Sequence, residues 1–297
     1  MLICRNTSVA AIRFVRKIRG GSHPLLVDAS DGHRYVVKCA NNPQGPNVLC
    51  NEVLGTELYA AVGLPVPAWT PIRIPRSFLL TCPQGSLNSL SGPVLPEGGL
   101  CFGSRVLAES PTRLLEILPG SFLGRVANRS DFWLAWLVDL CAEHRDTRQS
   151  LFIESSGILH AFFVDHGHMF GGPDGTRTTP LMGPRYWDAR IYSAPQMHKI
   201  RVRLRHISST LNTDRLVKRI VEVPPEWVTE SDVKNFFDCL DRLCRADYLE
   251  QTIGTLLMAF EKSYANQRAI PQLEPSEAPE LLRPRLSSQR AGRHAVA

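Results

Sequence analysis

The sequence predicts an α+β chain of two lobes: a small antiparallel sheet carrying one helix, then a larger, mainly helical part. Three observations predict it. β-Branched residues interrupted by two glycine turns fill residues 9–38, and a single capped helix follows them. Helical periodicity returns only after a Pro-, Gly- and Ser-rich stretch at 81–98, and it dominates from about Pro224 onward.

Val9 to Ile18 alternates loosely between apolar and basic residues, and Leu25 to Val27 resumes that character after Arg19-Gly20-Gly21-Ser22-His23-Pro24, which reads as strand, turn, strand. A turn at Asp31-Gly32 leads to a third strand, Arg34-Tyr35-Val36-Val37-Lys38. Asn47 caps a helix through Val62, with Val48, Leu54, Leu58, Ala61 and Val62 on one stripe and Gly63 as its stop. Leu64-Pro65-Val66-Pro67 ends helical geometry and hands on to an extended piece at Thr70 to Ile74. A lobe junction is expected in 81–98, with a strand at Leu100 to Leu107 beyond it.

In the second part Asp131 to Glu143 forms an apolar helix that delivers His144-Arg145-Asp146 at its end. Ser150 to Ile153 and Ile158 to Val164 make a hairpin around Glu154-Ser155-Ser156-Gly157, with Asp165 just past it. Glu230 to Cys244 and Tyr248 to Tyr264 are amphipathic helices. The resulting division is 1–85, 86–265 and a disordered tail at 266–297.

Composition excludes several classes. With 43% hydrophobic and 21% charged residues the body of the chain has ordinary globular usage. The net charge of +6 suits a polyanionic ligand. Its densest basic stretch, Arg201, Arg203, Arg205, Lys218 and Arg219, is split by a polar middle, which argues against a nucleic-acid surface. The eight cysteines are scattered without a C-x-x-C pair and read as free thiols in a reducing compartment. Without an apolar run of membrane-spanning length or a secretory leader, the expected location is the cytoplasm.

Five features occur in an order that has chemical meaning. Gly20 and Gly21 between two strands allow close backbone approach to a phosphate, and Ser22 adds a hydroxyl, although a glycine pair is also ordinary turn chemistry. Lys38 ends a strand where alternation points it toward that turn, or leaves it as an exposed strand end. Glu52 on the following helix is a partner for its ammonium, with Glu57 as the alternative. Asp146 and Asp165 each sit where a regular element ends, and the hairpin between them brings both to one edge. Phosphoryl transfer needs such a set: backbone donors and a lysine on phosphates, a carboxylate for magnesium and another for the acceptor hydroxyl.

Gly20-Gly21-Ser22, the run Tyr35-Val36-Val37-Lys38-Cys39-Ala40-Asn41-Asn42-Pro43-Gln44-Gly45, Asn51-Glu52, Gly63-Leu64-Pro65-Val66-Pro67, Asp146 with Arg148-Gln149, and Asp165-His166-Gly167-His168-Met169-Phe170 together resemble the HipA-like kinases. The similarity spans roughly residues 8 to 172. It implies a bilobed protein-kinase-like fold and ATP- and Mg2+-dependent phosphorylation of a protein Ser or Thr. Carried over by position, it implies Gly20, Gly21, Ser22, Lys38 and Glu52 at the nucleotide phosphates, Asp146 as catalytic aspartate and Asp165 as metal ligand. Two positions depart from the kinase pattern. The metal-binding Asn expected five residues after the catalytic aspartate is Leu151, leaving the amide of Gln149 as a substitute in catalysis and metal binding. His166 stands where protein kinases carry the Phe of Asp-Phe-Gly.

Rival readings rest on particular residues. His144, Asp146, His160, Asp165, His166 and His168 would supply ligands to a metal-dependent hydrolase. Leu151 suits a non-catalytic pseudokinase or interaction module, with Arg283 to Arg290 as a docking segment. A small-molecule acceptor would use the less readable second lobe, where Trp187, Asp188, Arg190 and Tyr192 in the stretch Pro180 to Arg205 are groove candidates or plain surface.

Overall fold

The computed structural model describes residues 9–82, 88–89, 92–93, 98–107, 113–174, 185–192, 197–211 and 213–269. Its first unit is a five-stranded closed barrel in the order β1 (Val9–Lys17), β2 (Leu25–Ala29), β3 (Arg34–Lys38), β7 (Gly99–Arg105) and β4 (Trp69–Ile74). The expected sheet was antiparallel. Instead β1 closes onto β4 in a short parallel pairing, Val9 with Ile72 and Ala10 with Arg73. The cause lies in β1, whose register against β2 shifts between Ala11 and Arg13 and again between Phe14 and Arg16. Such bulges raise strand twist and bend the sheet round until its edges meet, which removes the edges.

Closure also relocates a strand. The extended run expected beyond the junction at 81–98 is β7, and it lies between β3 and β4 in the barrel. A short helix, α2 (Arg76–Thr81), follows β4, and two-residue strands β5 (Asn88–Ser89) and β6 (Gly92–Pro93) pair with each other. Val27, Val37, Ile72, Ile74 and Cys101 fill the barrel core and are wholly buried.

Helix α1 (Val48–Ala61) starts after Asn47, but the Asn47 side chain makes no capping hydrogen bond and its backbone is itself helical, and the apolar stripe is not the helix's only buried face. Asn51, Glu52, Gly55 and Thr56 are buried alongside Val48, Leu54 and Leu58, because the helix has partners on all sides over its first three turns. Helix α3 (Ser130–Cys141) is equally central, with Phe132, Trp133 and Leu137 wholly buried. Side chains of that size contribute roughly 1.5–3 kcal/mol each by burial. β9 (Gln149–Ser155) and β10 (Ile158–Val164) form the predicted hairpin, and β8 (Arg113–Leu115) extends it to three strands. Its turn residues Ser156 and Gly157 have φ of 50° and 81°, the left-handed pair that a two-residue hairpin loop demands.

Two helices stand where the sequence suggested only charge: α4 (Met197–Thr210) and α5 (Thr213–Val221). Ile200, Leu204 and Ile207 make a buried stripe on α4, while Arg203 donates to Asp131 Oδ1 at 2.5 Å and to the Gly63 carbonyl at 2.6 Å. The dense arginines masked that spacing. Helix α6 (Glu230–Cys244) begins at a reciprocal capping box between Thr229 and Asp232, and α7 (Ala246–Ala269) runs four residues past the expected start of the tail. Residues 270–297, including Arg283 to Arg290, lie outside the described residues. No helix among the described residues is long and apolar enough to cross a membrane.

Candidate active site

A cavity of about 500 Å3 lies between the barrel wall and the β9–β10 hairpin, within the range of small-ligand sites. Gly20, Gly21, Ser22, Lys38, Glu52, Asp146, Gln149 and Asp165 all line it. Residues up to 127 positions apart in the chain, Lys38 and Asp165, are brought into direct contact there.

Lys38 is the hub. Its Nζ donates to Glu52 Oε1 at 2.5 Å and to Asp165 Oδ1 at 2.6 Å. Burial alone would weaken the ammonium, but Asp165 and Glu52 outweigh it and raise its pKa. Burial likewise opposes charge on Asp165, yet Lys38 outweighs burial and holds that carboxyl at about 2. Glu52 is more deeply enclosed, and burial raises its pKa against the pull of Lys38. The alternative partner, Glu57, is engaged elsewhere, accepting from Trp69 Nε1 at 2.6 Å and from Arg219 Nη2 at 2.8 Å.

The segment after β10 is held from several sides. Asp165 sits in the left-handed region, with φ of 63°. Glu52 Oε1 also accepts from the Gly167 amide at 2.9 Å, and Asn51 Nδ2 donates to the carbonyls of Gly167 and Gly172 at 3.0 and 3.2 Å. The amide of Arg145 donates to His168 O, and that of Phe170 to Ala142 O, which ties the segment to the end of α3. On the barrel side Asn42 Nδ2 donates to the Ser22 carbonyl at 3.1 Å, so the loop after β3 braces the glycine turn. Gly20 has φ of 146°, a conformation costly for a residue with a Cβ.

A buried network absent from the sequence expectations positions the two aspartate-bearing loops. Arg148 Nε and Nη2 donate to Asp139 Oδ2 and Oδ1 at 2.8 and 2.6 Å, and Nη1 donates to the Val164 carbonyl at 2.9 Å. Tyr59 donates to Asp139 Oδ1 at 2.7 Å, with its ring beneath the guanidinium. Burial raises the pKa of Asp139 even against Arg148, which marks a site held by geometry at an electrostatic cost. The signal was present in the sequence: Asp139 interrupts the apolar run from Phe132 to Cys141, and a buried carboxylate needs a partner.

The same network engages two of the histidines offered to a hydrolase site. His144 and His166 are buried with their Nδ1 atoms 3.4 and 3.3 Å from the Arg148 guanidinium, and burial lowers both pKa values well below the usual imidazole range. A zinc ion there would face a fixed cation. No group of three or more His, Cys, Asp or Glu side chains suited to a metal occurs among the described residues. Magnesium fits the donor set better, because it takes one or two protein carboxylates and completes its shell with phosphate and water oxygens. Asp165, a quarter exposed to the cavity, would be one such carboxylate.

His166 packs on the Tyr59 ring, 4.6 Å between centroids. Leu151 lines the cavity with an aliphatic side chain. Asp146 Oδ1 accepts from the Thr147 amide at 2.7 Å, while Gln149, directly across from Val164, has its side chain exposed. Of the groove candidates, Trp187 lines the cavity, Asp188 and Arg190 pair with each other at 2.7 Å, and Tyr192 is part of the core. Residues 180–184 and 193–196 of that stretch lie outside the described residues.

No family model matches the chain, and no curated protein matches it significantly. Among solved structures it is similar to the Helicobacter pylori proinflammatory kinase CtkA, at 12% identity and a TM-score of 0.53 over 81% of this chain and 95% of that one. The Golgi casein kinase with Mn/ADP bound gives 11% identity and a TM-score of 0.48 over 82% of this chain and 72% of that one. Hydra Fam20 gives 12% and 0.40 over 84% and 86%. The first likeness shows a fold shared with a kinase; the other two, at their lower scores, carry no argument.

Proposed function

We propose that the chain is a HipA-like kinase that transfers the γ-phosphate of ATP, with magnesium, to a protein Ser or Thr. The observation that carries this reading is the charge chain Glu52–Lys38–Asp165 on the wall of a cavity also lined by the glycine turn and Asp146. In this reading the barrel with α1 is the nucleotide-binding lobe and the helical part is the second lobe. The boundary moves from residue 85 to beyond Arg105, because β7 belongs to the barrel.

Each residue has a task that its surroundings favour. Lys38 stays protonated between two carboxylates and is placed to meet phosphate oxygens, while the Glu52 contact keeps it from swinging away. The backbone of Gly20 and Gly21 and the hydroxyl of Ser22 border the phosphates. Asp165, ionised at all but strongly acidic pH, is the metal ligand, with Gln149 as the second oxygen donor. Bound there, magnesium would neutralise charge on the β- and γ-phosphates. Asp146 orients the acceptor hydroxyl and receives its proton as the oxygen attacks phosphorus in line. The setting we infer is the cytoplasm, where ATP is present and the seven free cysteines among the described residues stay reduced.

Transfer from labelled ATP with magnesium, alongside nucleotide titration calorimetry, tests this. Wild type should transfer phosphate; Asp146→Ala should lose transfer but keep nucleotide binding, and Asp165→Ala should lose transfer and metal-dependent affinity. Wild-type binding without transfer to itself or to protein substrates would favour the second reading, a pseudokinase, for which Leu151 on the cavity wall is the specific observation. Absence of nucleotide binding would end the kinase reading.

A further inference from the structure

A second cavity, of about 540 Å3, borders the loop that follows β3 and lies in the same small-ligand range. Barrel and helical part both build it. Its walls are the loop Ala40 to Pro46, Leu49 at the start of α1, Gly98 to Leu100 at the start of β7, and two residues of the 3-10 turn Pro225–Trp227, Glu226 and Trp227. Gln44 is the one described residue that it shares with the cavity of the candidate active site. The loop wall is fixed without a ligand. The amides of Gln44 and Gly45 donate to Asn42 Oδ1 and to the Asn42 carbonyl, each at 3.1 Å, and the Asn47 amide donates to the Pro173 carbonyl at 2.9 Å. Gly45 has φ of 149°, and a Cβ there would collide with that Pro173 carbonyl. On the opposite element the Trp227 amide donates to the Pro224 carbonyl at 2.9 Å, and the indole is buried. A wall set in advance spares a ligand part of the ordering cost of binding.

The chemistry of the lining is one-sided. Glu226 is the only ionisable residue among the described lining residues, and it makes no ion pair with any described residue. An exposed glutamate by itself is ordinary surface, but this one stands beside a buried acceptor: Gln44 Oε1 is shut off from solvent and receives no hydrogen bond. Such an atom is costly to leave unpaired, so a donor is what the lining lacks. The neighbouring cavity has the opposite character, with Arg16, Arg19, Arg34 and Arg105 on its walls besides Lys38. The lone carboxylate is therefore a local feature of a chain whose net charge is +6.

A carboxylate, an amide oxygen and an aromatic wall together suit a planar cation with several N–H donors. Guanidinium fits this description better than ammonium: its fork matches a carboxylate, its face stacks on aromatic rings, and it sheds water more readily. We propose that this cavity is a second ligand site, which takes the guanidinium of an arginine, free or within a polypeptide, on Glu226, Gln44 and Trp227. Glu226 neutralises the cation, Gln44 Oε1 gains the donor it lacks, and Trp227 supplies the apolar wall.

The full chain is titrated with Nα-acetyl-arginine methylamide, and binding is read by ligand-observed saturation-transfer NMR. Saturable binding with Kd of about 1 mM is expected for a ligand of this size. The citrulline analogue keeps the shape but not the charge, and should bind at least about tenfold more weakly. Glu226→Gln should weaken the arginine probe by about the same factor, and because Glu226 is exposed the variant should keep the wild-type unfolding midpoint. Glu116→Gln, on the wall of the other cavity, should leave the affinity unchanged. No saturable binding, equal affinity for citrulline, or a loss in Glu116→Gln but not in Glu226→Gln would each overturn the proposal. A capped Gly-Arg-Gly peptide separates the two sources: tighter binding than the single amino acid derivative places the arginine in a polypeptide, and equal or weaker binding makes it a free small molecule. The site does not depend on the kinase reading, since ATP calorimetry on the same samples tests that reading by itself.

Discussion

Replacing Asp139 by Asn tests what holds the two aspartate-bearing loops together. The substitution keeps shape but turns a carboxylate that receives two bonds from Arg148 and one from Tyr59 into an amide whose NH2 faces donors. Arg148 and Asp139 are both essentially without solvent exposure, so the guanidinium left behind has no water to turn to. Removing one member of a buried pair costs roughly 3–5 kcal/mol, and at about 2–4 °C per kcal/mol for a chain of this size the midpoint should fall by on the order of 10 °C. Urea unfolding with m held constant gives the free energy, and Arg148→Met closes a double-mutant cycle. Because the double variant leaves no uncompensated charge, it should be more stable than the sum of the two losses predicts by about 2 kcal/mol or more. A loss below about 1 kcal/mol for Asp139→Asn, or strict additivity in the cycle, would refute the assigned coupling.

Other outcomes follow from the same geometry. Asp165 is held at about 2 against an ordinary 3.8, so it contributes about 2 kcal/mol that is present above pH 4 and lost as pH falls toward 2; Asp165→Asn should flatten that limb of the acid-unfolding curve. His144 and His166 are buried neutral, so the unfolded chain takes up their protons first. Stability should therefore fall below about pH 6.5 by up to about 1.4 kcal/mol per unit for each, and proton uptake on unfolding measures it. In Gly55→Ala a new Cβ would meet the His166 side chain and, at 2.7 Å, Met169 Sδ; a loss of about 1–3 kcal/mol is expected in thermal unfolding. Leu151→Asn restores an oxygen donor on the cavity wall and should raise metal-dependent ATP affinity several-fold by calorimetry, whereas an unchanged affinity would argue that Gln149 or solvent already completes the metal shell.

Much of the framework was legible because local chemistry dictates it. β3 and α6 begin and end where the sequence reading placed them, since Asp31-Gly32 turns the chain before one and Thr229 with Asp232 caps the other. The β9–β10 turn and strand alternation place Asp146, Gln149 and Asp165 at one edge as short-range effects, while the cavity they share with Gly20, Gly21, Ser22, Lys38 and Glu52 is made by long-range contact. Less was legible where distant contacts outweigh local signals. Helix α4 hid behind its arginines, although Arg203 is spent on Asp131 and Gly63, and α1 looked one-sided although neighbours surround it.

The meander, the hairpin and the identity of the charged groups could be read from the chain alone, because turns and alternation act over a few residues. Only the tertiary structure decided that bulges in β1 close the sheet into a barrel and that Lys38 takes both Glu52 and Asp165 rather than Glu57. It likewise decided that Arg148 is a buried brace. Those outcomes depend on which partner reaches a buried charge or strand edge first, and burial leaves such a group only the partners that the whole fold brings to it.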